Sequence, residues 1–358
     1  MRQEDSRTAQ MTASPILSSH FRSEMTPVKA ISAIIAWGLF TSATPVGSPA
    51  PPADLIARAA GQPCTPLEAD SLLTFSIVIG ANGAKCSVYT LGPVVYASAR
   101  YESPHGTIPL LLIRSAGAPD RGIIVYLPGG PGGGLLPQAE QSPTTTMLTN
   151  LAEQGFTVVG LGYSGSVYSS VGGSGTDLDR ASRQTEDYLK YLRGAGAKVR
   201  AVLGVSAGAH VALGTRSAPT VPIILLSPAV QSPESLVQRM KQKREGLAYY
   251  SRTVRGGITE ETRTADFFGQ SYSRDLAASL IASGPPMGEC LSVLIGSEDD
   301  RVGLDGIDRL ESRIPTLRVR LIASLGHGPR SEPEAKKLAA LLAQEVESSR
   351  CYERITAR

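Results

Sequence analysis

Residues 199–208 read Val-Arg-Ala-Val-Leu-Gly-Val-Ser-Ala-Gly, and they decide the fold. The run Val199–Val205 is apolar in the way of a buried strand, and small residues that suit the first turn of a helix follow it. Gly204 and Gly208 flank Ser206 in the pattern G-x-S-x-G, whose glycines permit a sharp turn from strand to helix. The pattern predicts a Ser206 hydroxyl that is exposed at the edge of a sheet and available as a nucleophile.

From residue 122 onward, strands and helices are predicted to alternate. Continuous apolar runs predict buried parallel strands at residues 123–127, 156–161, 199–205, 221–226, 291–295 and 317–322. Helices are predicted between them at residues 144–154, 176–193, 206–217, 304–313 and 333–349. This order predicts an α/β fold with a mostly parallel central sheet and helices on both faces.

Two regions depart from this alternation. Short β-rich stretches at residues 72–79, 88–90, 94–100 and 108–114 predict N-terminal β-hairpins. Residues 231–289 are polar and lack a buried-strand pattern, so we expect a small helical cap inserted over the carboxyl edge of the sheet. The α/β core is then expected at residues 61–230 and 290–358.

The N-terminal region has the pattern of an export signal. Met25 begins a segment in which Lys29 precedes a mostly apolar run at residues 30–40 and small residues at 41–43. We expect a signal peptide at residues 25–43, an upstream gene-model extension at residues 1–24 and a linker at residues 44–60. Export to the periplasm or outside the cell is the predicted location, and an uncleaved N-terminal anchor is the alternative.

Composition excludes several classes of partner. The chain has 35 basic and 32 acidic residues, a formal charge of +3 and no dense block of Lys and Arg, so it has no electrostatic footprint for nucleic acid. With 42% hydrophobic residues the chain is too apolar to be disordered. No apolar run reaches the roughly 20 residues of a spanning helix, so we expect no stable membrane span. The oligomeric state is left open.

The chain contains four cysteines, all downstream of the predicted signal and none in a C-x-x-C pair. An even count in an exported protein favours disulfides over metal ligands, with free thiols as the alternative. Of the three possible pairings, the most economical joins Cys64 to Cys86 and Cys290 to Cys351.

A serine nucleophile needs a base, and histidine is the usual one. His20 lies upstream of the signal, His105 lies between the early hairpins, and His210 follows Ser206 by one helical turn, where it faces along the helix. His327 lies in a glycine-flanked loop just after the last predicted strand. We therefore predict His327 as the base and His210 as a packed or capping residue.

A carboxylate is needed to orient the histidine, and the expected chain order is serine, acid, histidine. Glu298, Asp299 and Asp300 follow the strand predicted at residues 291–295. Asp299 is the preferred candidate and its two neighbours are alternatives, because only one of three consecutive loop residues can face His327. The cluster is also compatible with a solvated acidic loop or a cation site.

The negative charge of an acyl-transfer intermediate needs backbone N–H donors. Ala207, directly after the nucleophile, is the expected first donor. The glycine-rich loop at residues 128–134 follows a predicted strand, and Gly130 is the expected second donor, although a merely flexible loop is the alternative. The loop lacks the Lys-Ser/Thr ending of a phosphate cradle.

These motifs together resemble the α/β-hydrolase fold superfamily over residues 72–350. The resemblance rests on the elbow at residues 204–208, the glycine-rich loop, the pattern G-x-x-D-x-x-V that ends at Val302, and the pair Gly326-His327. It implies a catalytic triad of Ser206, Asp299 and His327, an oxyanion hole at Gly130 and Ala207, a cap over the pocket, no metal and no cofactor.

Two loops resemble those of the proline iminopeptidase group. Residues 129–132 resemble the H-G-G-P-G loop of that group, and residues 162–166 resemble its R-G-x-G-x-S turn. This chain has Pro128 where that group usually has His, and Val159 and Leu161 where Asp and Arg are common.

The sequence thus predicts a serine hydrolase that cleaves small esters, possibly amides, through an acyl-enzyme. A prolyl or aminoacyl exopeptidase is one alternative; Glu260, Glu261 and Asp266 are its candidate ligands for a substrate ammonium, although acids on a solvated helix face are the simpler interpretation. A non-catalytic binding protein of the same fold is the other. The expected partner is a small-molecule or peptide substrate.

Overall fold

A sheet of ten strands lies at the centre of the computed structural model. The structure describes residues 65–66, 86–129, 142–162, 178–215, 221–231, 235, 249–254, 258–263, 290–302, 304–314 and 317–349. The predicted signal peptide, the linker, the strand at residues 72–79 and Gly130 lie outside these ranges and stay predictions.

The strands and helices alternate along the chain as the apolar runs predict. The strands are β1 (Thr65–Pro66), β2 (Cys86–Leu91), β3 (Val94–Ser103), β4 (Gly106–Ser115), β5 (Gly122–Leu127), β6 (Phe156–Leu161), β7 (Val199–Val205), β8 (Ile223–Leu226), β9 (Tyr249–Val254), β10 (Ile258–Arg263), β11 (Leu291–Gly296) and β12 (Arg318–Ile322). The helices are α1 (Pro143–Glu153), α2 (Leu178–Gly194), α3 (Gly208–Gly214), α4 (Asp305–Arg313) and α5 (Glu332–Ser348).

The large sheet has the strand order β1-β2-β3-β4-β6-β5-β7-β8-β11-β12. Strands β2, β3, β4 and β6 pair in antiparallel fashion. From β6 through β5, β7, β8 and β11 to β12 every pairing is parallel. The carboxyl ends of these parallel strands therefore meet at one edge of the sheet, which is the usual place for a site in an α/β protein.

Helices cover both faces of the sheet. In β5, Ile123, Val125 and Leu127 join a core cluster with residues of α2, α3 and α4. Ile124 and Tyr126 face the opposite way and join a second cluster with residues of α1 and α5. This alternation explains why the strand is apolar throughout, and it confirms the predicted fold class.

Serine caps set the start of two of these helices. Ser142 accepts a hydrogen bond from the Thr145 N–H at the start of α1, where proline occupies the first turn. Ser331 caps α5 in the same way through the Glu334 N–H.

Within the described ranges, no helix combines the length and apolarity that crossing a bilayer requires.

The expectation of a purely helical cap at residues 231–289 is wrong in its middle. Strands β9 and β10 form an antiparallel two-stranded sheet, with Val254 opposite Ile258. Aromatic and β-branched residues such as Tyr249 and Thr253 favour strands. The rest of this insertion lies largely outside the described residues.

Candidate active site

Ser206 lies on a sharp turn between β7 and α3, with a backbone φ of +50°. Residues other than glycine rarely adopt this left-handed conformation, so the turn is strained. A Cβ atom on Gly208 would lie 2.2 Å from the Leu127 carbonyl oxygen, and one on Gly204 would lie 2.8 Å from the Gly208 carbonyl oxygen. The two glycines therefore allow α3 to begin directly against the sheet, with Ser206 at its carboxyl edge.

The predicted helix at residues 206–217 consequently begins later than expected. Ser206 has a left-handed backbone conformation and cannot be a helical residue, so α3 starts at Gly208. Its C-cap, Thr215, has extended backbone angles. The shortening at the N-terminus is thus a direct result of the elbow.

His327 lies in the loop after β12, and its ring reaches Ser206. The His327 Nε2 atom is 2.9 Å from Ser206 Oγ. Backbone contacts hold the loop against the end of β11, because the Glu298 N–H donates to the Leu325 carbonyl at 2.9 Å. A Cβ atom on Gly296 would lie only 2.0 Å from that same carbonyl oxygen, so glycine is required for this approach.

The Asp299 carboxylate is hydrogen-bonded to the other ring nitrogen of His327. The His327 Nδ1 atom is 3.1 Å from both carboxylate oxygens, and the Asp299 side chain is 0% exposed. The backbone N–H groups of Arg301 and Val302 donate to Asp299 Oδ1 at 3.0 and 3.2 Å. These backbone N–H groups therefore fix the position of the Asp299 carboxylate, which faces the His327 imidazole.

The environment favours an ionised Asp299. Burial raises the pKa of Asp299, but interactions with His327, the Ser227 hydroxyl and the Val302 N–H outweigh it and hold the pKa below the ordinary value. An ionised carboxylate only accepts hydrogen bonds, so His327 Nδ1 carries the proton in this pair. With the proton on Nδ1, Nε2 is the ring atom that lies next to the Ser206 hydroxyl, at 2.9 Å.

The structure places the two alternative acids away from the imidazole. Asp300 is exposed. Glu298 is half exposed and accepts a hydrogen bond from Arg330 Nη2 at 3.1 Å. The same Arg330 atom donates to the Ser324 carbonyl at 2.6 Å, so Glu298 and Arg330 link the loop after β11 to the loop after β12.

Neither of the other described histidines contacts Ser206. His210 is buried in α3, and its Nε2 atom hydrogen-bonds the Ala229 carbonyl, in agreement with a packed role. His105 lies between β3 and β4, where its carbonyl accepts from Arg180 Nε at 2.7 Å and its ring is 3.8 Å from Asp187.

The predicted oxyanion-hole residues can be located only in part. Ala207 directly follows Ser206 and precedes α3, so its N–H has no acceptor within the helix. Gly130 lies outside the described residues. Its neighbour Gly129 packs against the elbow, since a Cβ atom there would lie 3.2 Å from Ser206 Cβ. The glycine-rich loop thus begins beside the nucleophile.

Two further residues, Ser227 and Arg330, lie on the elements around this constellation and were not predicted from the sequence. Arg330 reaches the histidine loop from just before α5, and Ser227 directly follows β8, next to the acid loop. The available sequence signal for Ser227 is its position directly after the apolar run of β8, at the carboxyl edge of the predicted sheet. No comparable sequence signal marks Arg330.

Cys290 is disulfide-bonded in the structure. Its partner is not among the described side chains, so the predicted pairings stay predictions. In the part of the chain that the structure describes, no group of three or more His, Cys, Asp or Glu residues is arranged to hold a metal ion.

Sheet order and site geometry together define the class of protein. A mostly parallel sheet carries a serine on the elbow after β7, an acid after β11 and a histidine after β12. This is the α/β-hydrolase fold, with the chain order serine, acid, histidine that is typical of it.

No protein-family model and no curated protein matches the sequence. Among solved structures, a serine hydrolase of Xanthomonas campestris described as lacking a lid is 14% identical, with a TM-score of 0.44 over 70% of this chain and 94% of its own. A thermophilic esterase of Thermogutta terrifontis is 15% identical, with a TM-score of 0.47 over 70% and 98%. An esterase of Exiguobacterium antarcticum is 16% identical, with a TM-score of 0.46 over 70% and 99%.

Proposed function

We propose that this protein is a serine hydrolase that cleaves small ester substrates through an acyl-enzyme on Ser206. The observation that carries the proposal is the continuous hydrogen-bonded series from Ser206 Oγ through His327 to the buried Asp299 carboxylate. A serine and a histidine with a purely structural role would need neither a strained backbone at the serine nor a buried carboxylate hydrogen-bonded to the histidine.

In the proposed reaction, Ser206 Oγ attacks the ester carbonyl carbon while His327 Nε2 takes the hydroxyl proton. The bond to the leaving alkoxide then breaks, and His327 returns the proton to that oxygen. A water molecule, deprotonated by the same Nε2 atom, then attacks the acyl carbonyl carbon. The bond from that carbon to Ser206 Oγ breaks, the acid leaves, and His327 returns the proton to Oγ. Asp299 stays ionised throughout and stabilises the imidazolium that forms twice in each cycle.

The carbonyl oxygen gains negative charge in each tetrahedral intermediate. The Ala207 N–H is the proposed first donor to this oxygen and the Gly130 N–H the proposed second. Gly129 supports this assignment, because a Cβ atom added to it would lie 3.2 Å from Ser206 Cβ, so the glycine-rich loop begins beside Ser206.

Esters are the proposed substrates because an alkoxide leaves more easily than an amide nitrogen, so a generic triad handles it without specialised help. An exopeptidase also needs acids that hold the substrate ammonium. Glu260 and Glu261 lie in strand β10 and not on the helix face that was expected, opposite Arg252 and Ser251 of β9. Pro128 and Leu161 replace residues that are usual in the peptidase loops.

We also propose that the protein is exported after cleavage of a signal peptide at residues 25–43, and that residues 61–230 and 290–358 form the catalytic core around an inserted segment at 231–289. The proposed disulfides are Cys64–Cys86 and Cys290–Cys351. An even number of cysteines, all downstream of the predicted signal, supports the proposed oxidising location.

A substrate panel tests the proposed reaction. The wild-type protein and Ser206→Ala are assayed with p-nitrophenyl acetate and butyrate and with prolyl- and alanyl-naphthylamides. We expect the larger kcat/KM on the esters, and its loss in Ser206→Ala. A larger kcat/KM on the naphthylamides, removed selectively by Glu260→Gln or Glu261→Gln, would favour the exopeptidase. Binding without turnover of either class would favour the non-catalytic alternative.

A further inference from the structure

Ser227 is a buried serine whose hydroxyl has no evident structural purpose. It directly follows β8, its side chain and backbone are 0% exposed, and its φ is +44°. Its Oγ atom makes no hydrogen bond of normal geometry in the structure. A buried hydroxyl without a partner is destabilising, and so is a left-handed serine, so two costs coincide at one residue.

The backbone brings Ser227 to the loop that carries Asp299. Leu226 pairs with Leu294 in the parallel ladder between β8 and β11, and the Ser227 N–H donates to the Leu294 carbonyl at 2.8 Å. The Asp299 N–H donates to the Gly296 carbonyl at 3.1 Å, which turns the acid back over the end of β11. Both residues thus lie at the carboxyl ends of neighbouring strands.

The two oxygens of the Asp299 carboxylate have unequal partners. Oδ1 accepts from the His327 ring and from the backbone N–H groups of Arg301 and Val302. Oδ2 accepts from the His327 ring alone, among the residues that the structure describes. Each carboxylate oxygen can accept about two hydrogen bonds, and the side chain is closed to solvent, so Oδ2 has unused capacity. The Ser227 hydroxyl is also one of the groups that hold the pKa of Asp299 below its ordinary value.

We propose that Ser227 is a positioning residue whose hydroxyl donates to Asp299 Oδ2 and fixes the plane of the carboxylate toward His327. The left-handed backbone of Ser227 holds the residue at the end of β8, next to the strand that leads into the Asp299 loop. The hydroxyl thereby satisfies two buried polar groups at once. The catalytic part of the proposal rests on the proposed function.

A double-mutant cycle tests the contact and its role. The variants are Ser227→Ala, Asp299→Ala and the two combined, and the readouts are the rate of labelling by a fluorophosphonate and the urea midpoint of unfolding. A hydrogen bond to a charged group predicts that Ser227→Ala slows labelling about tenfold. In the Asp299→Ala background the same substitution should cause no further slowing. The matched control is Ser349→Ala, another buried serine without a hydrogen-bond partner, at the C-cap of α5; it should label at the wild-type rate.

Ser227→Gly covers the case in which Ser227→Ala does not fold, because glycine accepts a positive φ without strain and still lacks the hydroxyl. Labelling of Ser227→Gly at the wild-type rate, or equal slowing by Ser227→Ala in both backgrounds, would overturn the proposal. The urea midpoint of unfolding distinguishes a failure of the proposed hydrolase function from a failure of the proposed contact between Ser227 and Asp299. If the wild-type protein is not labelled but Ser227→Ala lowers the urea midpoint only when Asp299 is present, the contact between Ser227 and Asp299 is supported and the hydrolase function is contradicted. Equal losses of midpoint in both backgrounds would overturn the contact itself.

Discussion

Backbone strain is concentrated at one edge of the sheet. Among the described residues, the three with positive φ that are not glycine are Ser206, Ser227 and Ser324. Ser206 follows β7, Ser227 follows β8, and Ser324 follows β12, so all three lie at carboxyl ends of parallel strands. Strained residues that cluster at one edge of a sheet are the pattern expected where strain serves a site and not the core.

Asp299 is the residue whose replacement should discriminate most sharply among the neighbouring acids. Asp299→Asn removes the acceptor charge that holds the His327 tautomer, and we expect a loss of about 10³- to 10⁴-fold in kcat. Asp300→Asn and Glu298→Gln should stay close to wild type, because Asp300 is exposed and Glu298 forms its hydrogen bond with Arg330. Steady-state kinetics on p-nitrophenyl butyrate checks this ranking. A larger loss for Asp300→Asn than for Asp299→Asn would move the acid by one position.

The lowered pKa of Asp299 also predicts how stability depends on pH. Its folded pKa lies below the value of about 3.9 in an unfolded chain, so ionisation of this group stabilises the folded state above about pH 4. This contribution is lost as the pH falls through the folded pKa. The difference in urea midpoint between wild type and Asp299→Asn should therefore shrink below about pH 4. A difference that stays constant down to pH 2.5 would contradict the low pKa.

At the scale of elements, the site depends on how closely two loops approach each other. The loop after β12 packs its backbone onto the end of β11 at Gly296, where no side chain fits. The Glu298 N–H and Leu325 carbonyl join the loops directly, and Arg330 adds an exposed link between them. An exposed ion pair contributes little, so the backbone contact at Gly296 is the stronger constraint.

Gly296→Ala tests this constraint. The added Cβ would lie 2.0 Å from the Leu325 carbonyl oxygen, so the histidine loop must shift, and we expect a loss of roughly 1 to 3 kcal/mol in stability together with most of the activity. Gly194→Ala is the matched control, because open space surrounds that position at the end of α2. Thermal unfolding and ester turnover measure both effects. Equal melting temperatures for the two variants would show that the loops do not depend on the close approach.

The same elements show what the sequence could predict. Strands β6 and β7 begin and end where the apolar runs predict, because a strand buried on both faces must be apolar throughout. The start of α3 was misplaced because an apolar pattern does not report the φ of Ser206. Ser227 was missed for the same reason, since its importance depends on the loop that a distant segment brings beside it. The hairpin of β9 and β10 was missed because its polar residues concealed the β-branched and aromatic positions.

At the scale of the whole molecule, the cysteines relate the fold to its location. The proposed Cys290–Cys351 bond would tie the start of β11 to the C-terminal tail, and the proposed Cys64–Cys86 bond would tie β2 to the segment before β1. Each closed loop should stabilise the protein by about 3 to 4 kcal/mol if the bond is unstrained.

We expect no titratable thiol in the oxidised, denatured protein, because all four cysteines are paired in the proposal. Peptide mapping without reduction should recover Cys64 linked to Cys86 and Cys290 linked to Cys351. Recovery of Cys290 linked to Cys64 would contradict the pairing. Four titratable thiols would contradict both the bonds and the export that they imply.

In the proposed mechanism, Ser206 is a nucleophile that His327 activates. Its most direct test is the intact mass of the whole protein after reaction with a fluorophosphonate, followed by peptide mapping of the modified residue. We predict one equivalent of label, all of it on Ser206, and no mass increase in the Ser206→Ala variant. An unmodified wild-type protein, or label on a different serine that persists in Ser206→Ala, would contradict the account.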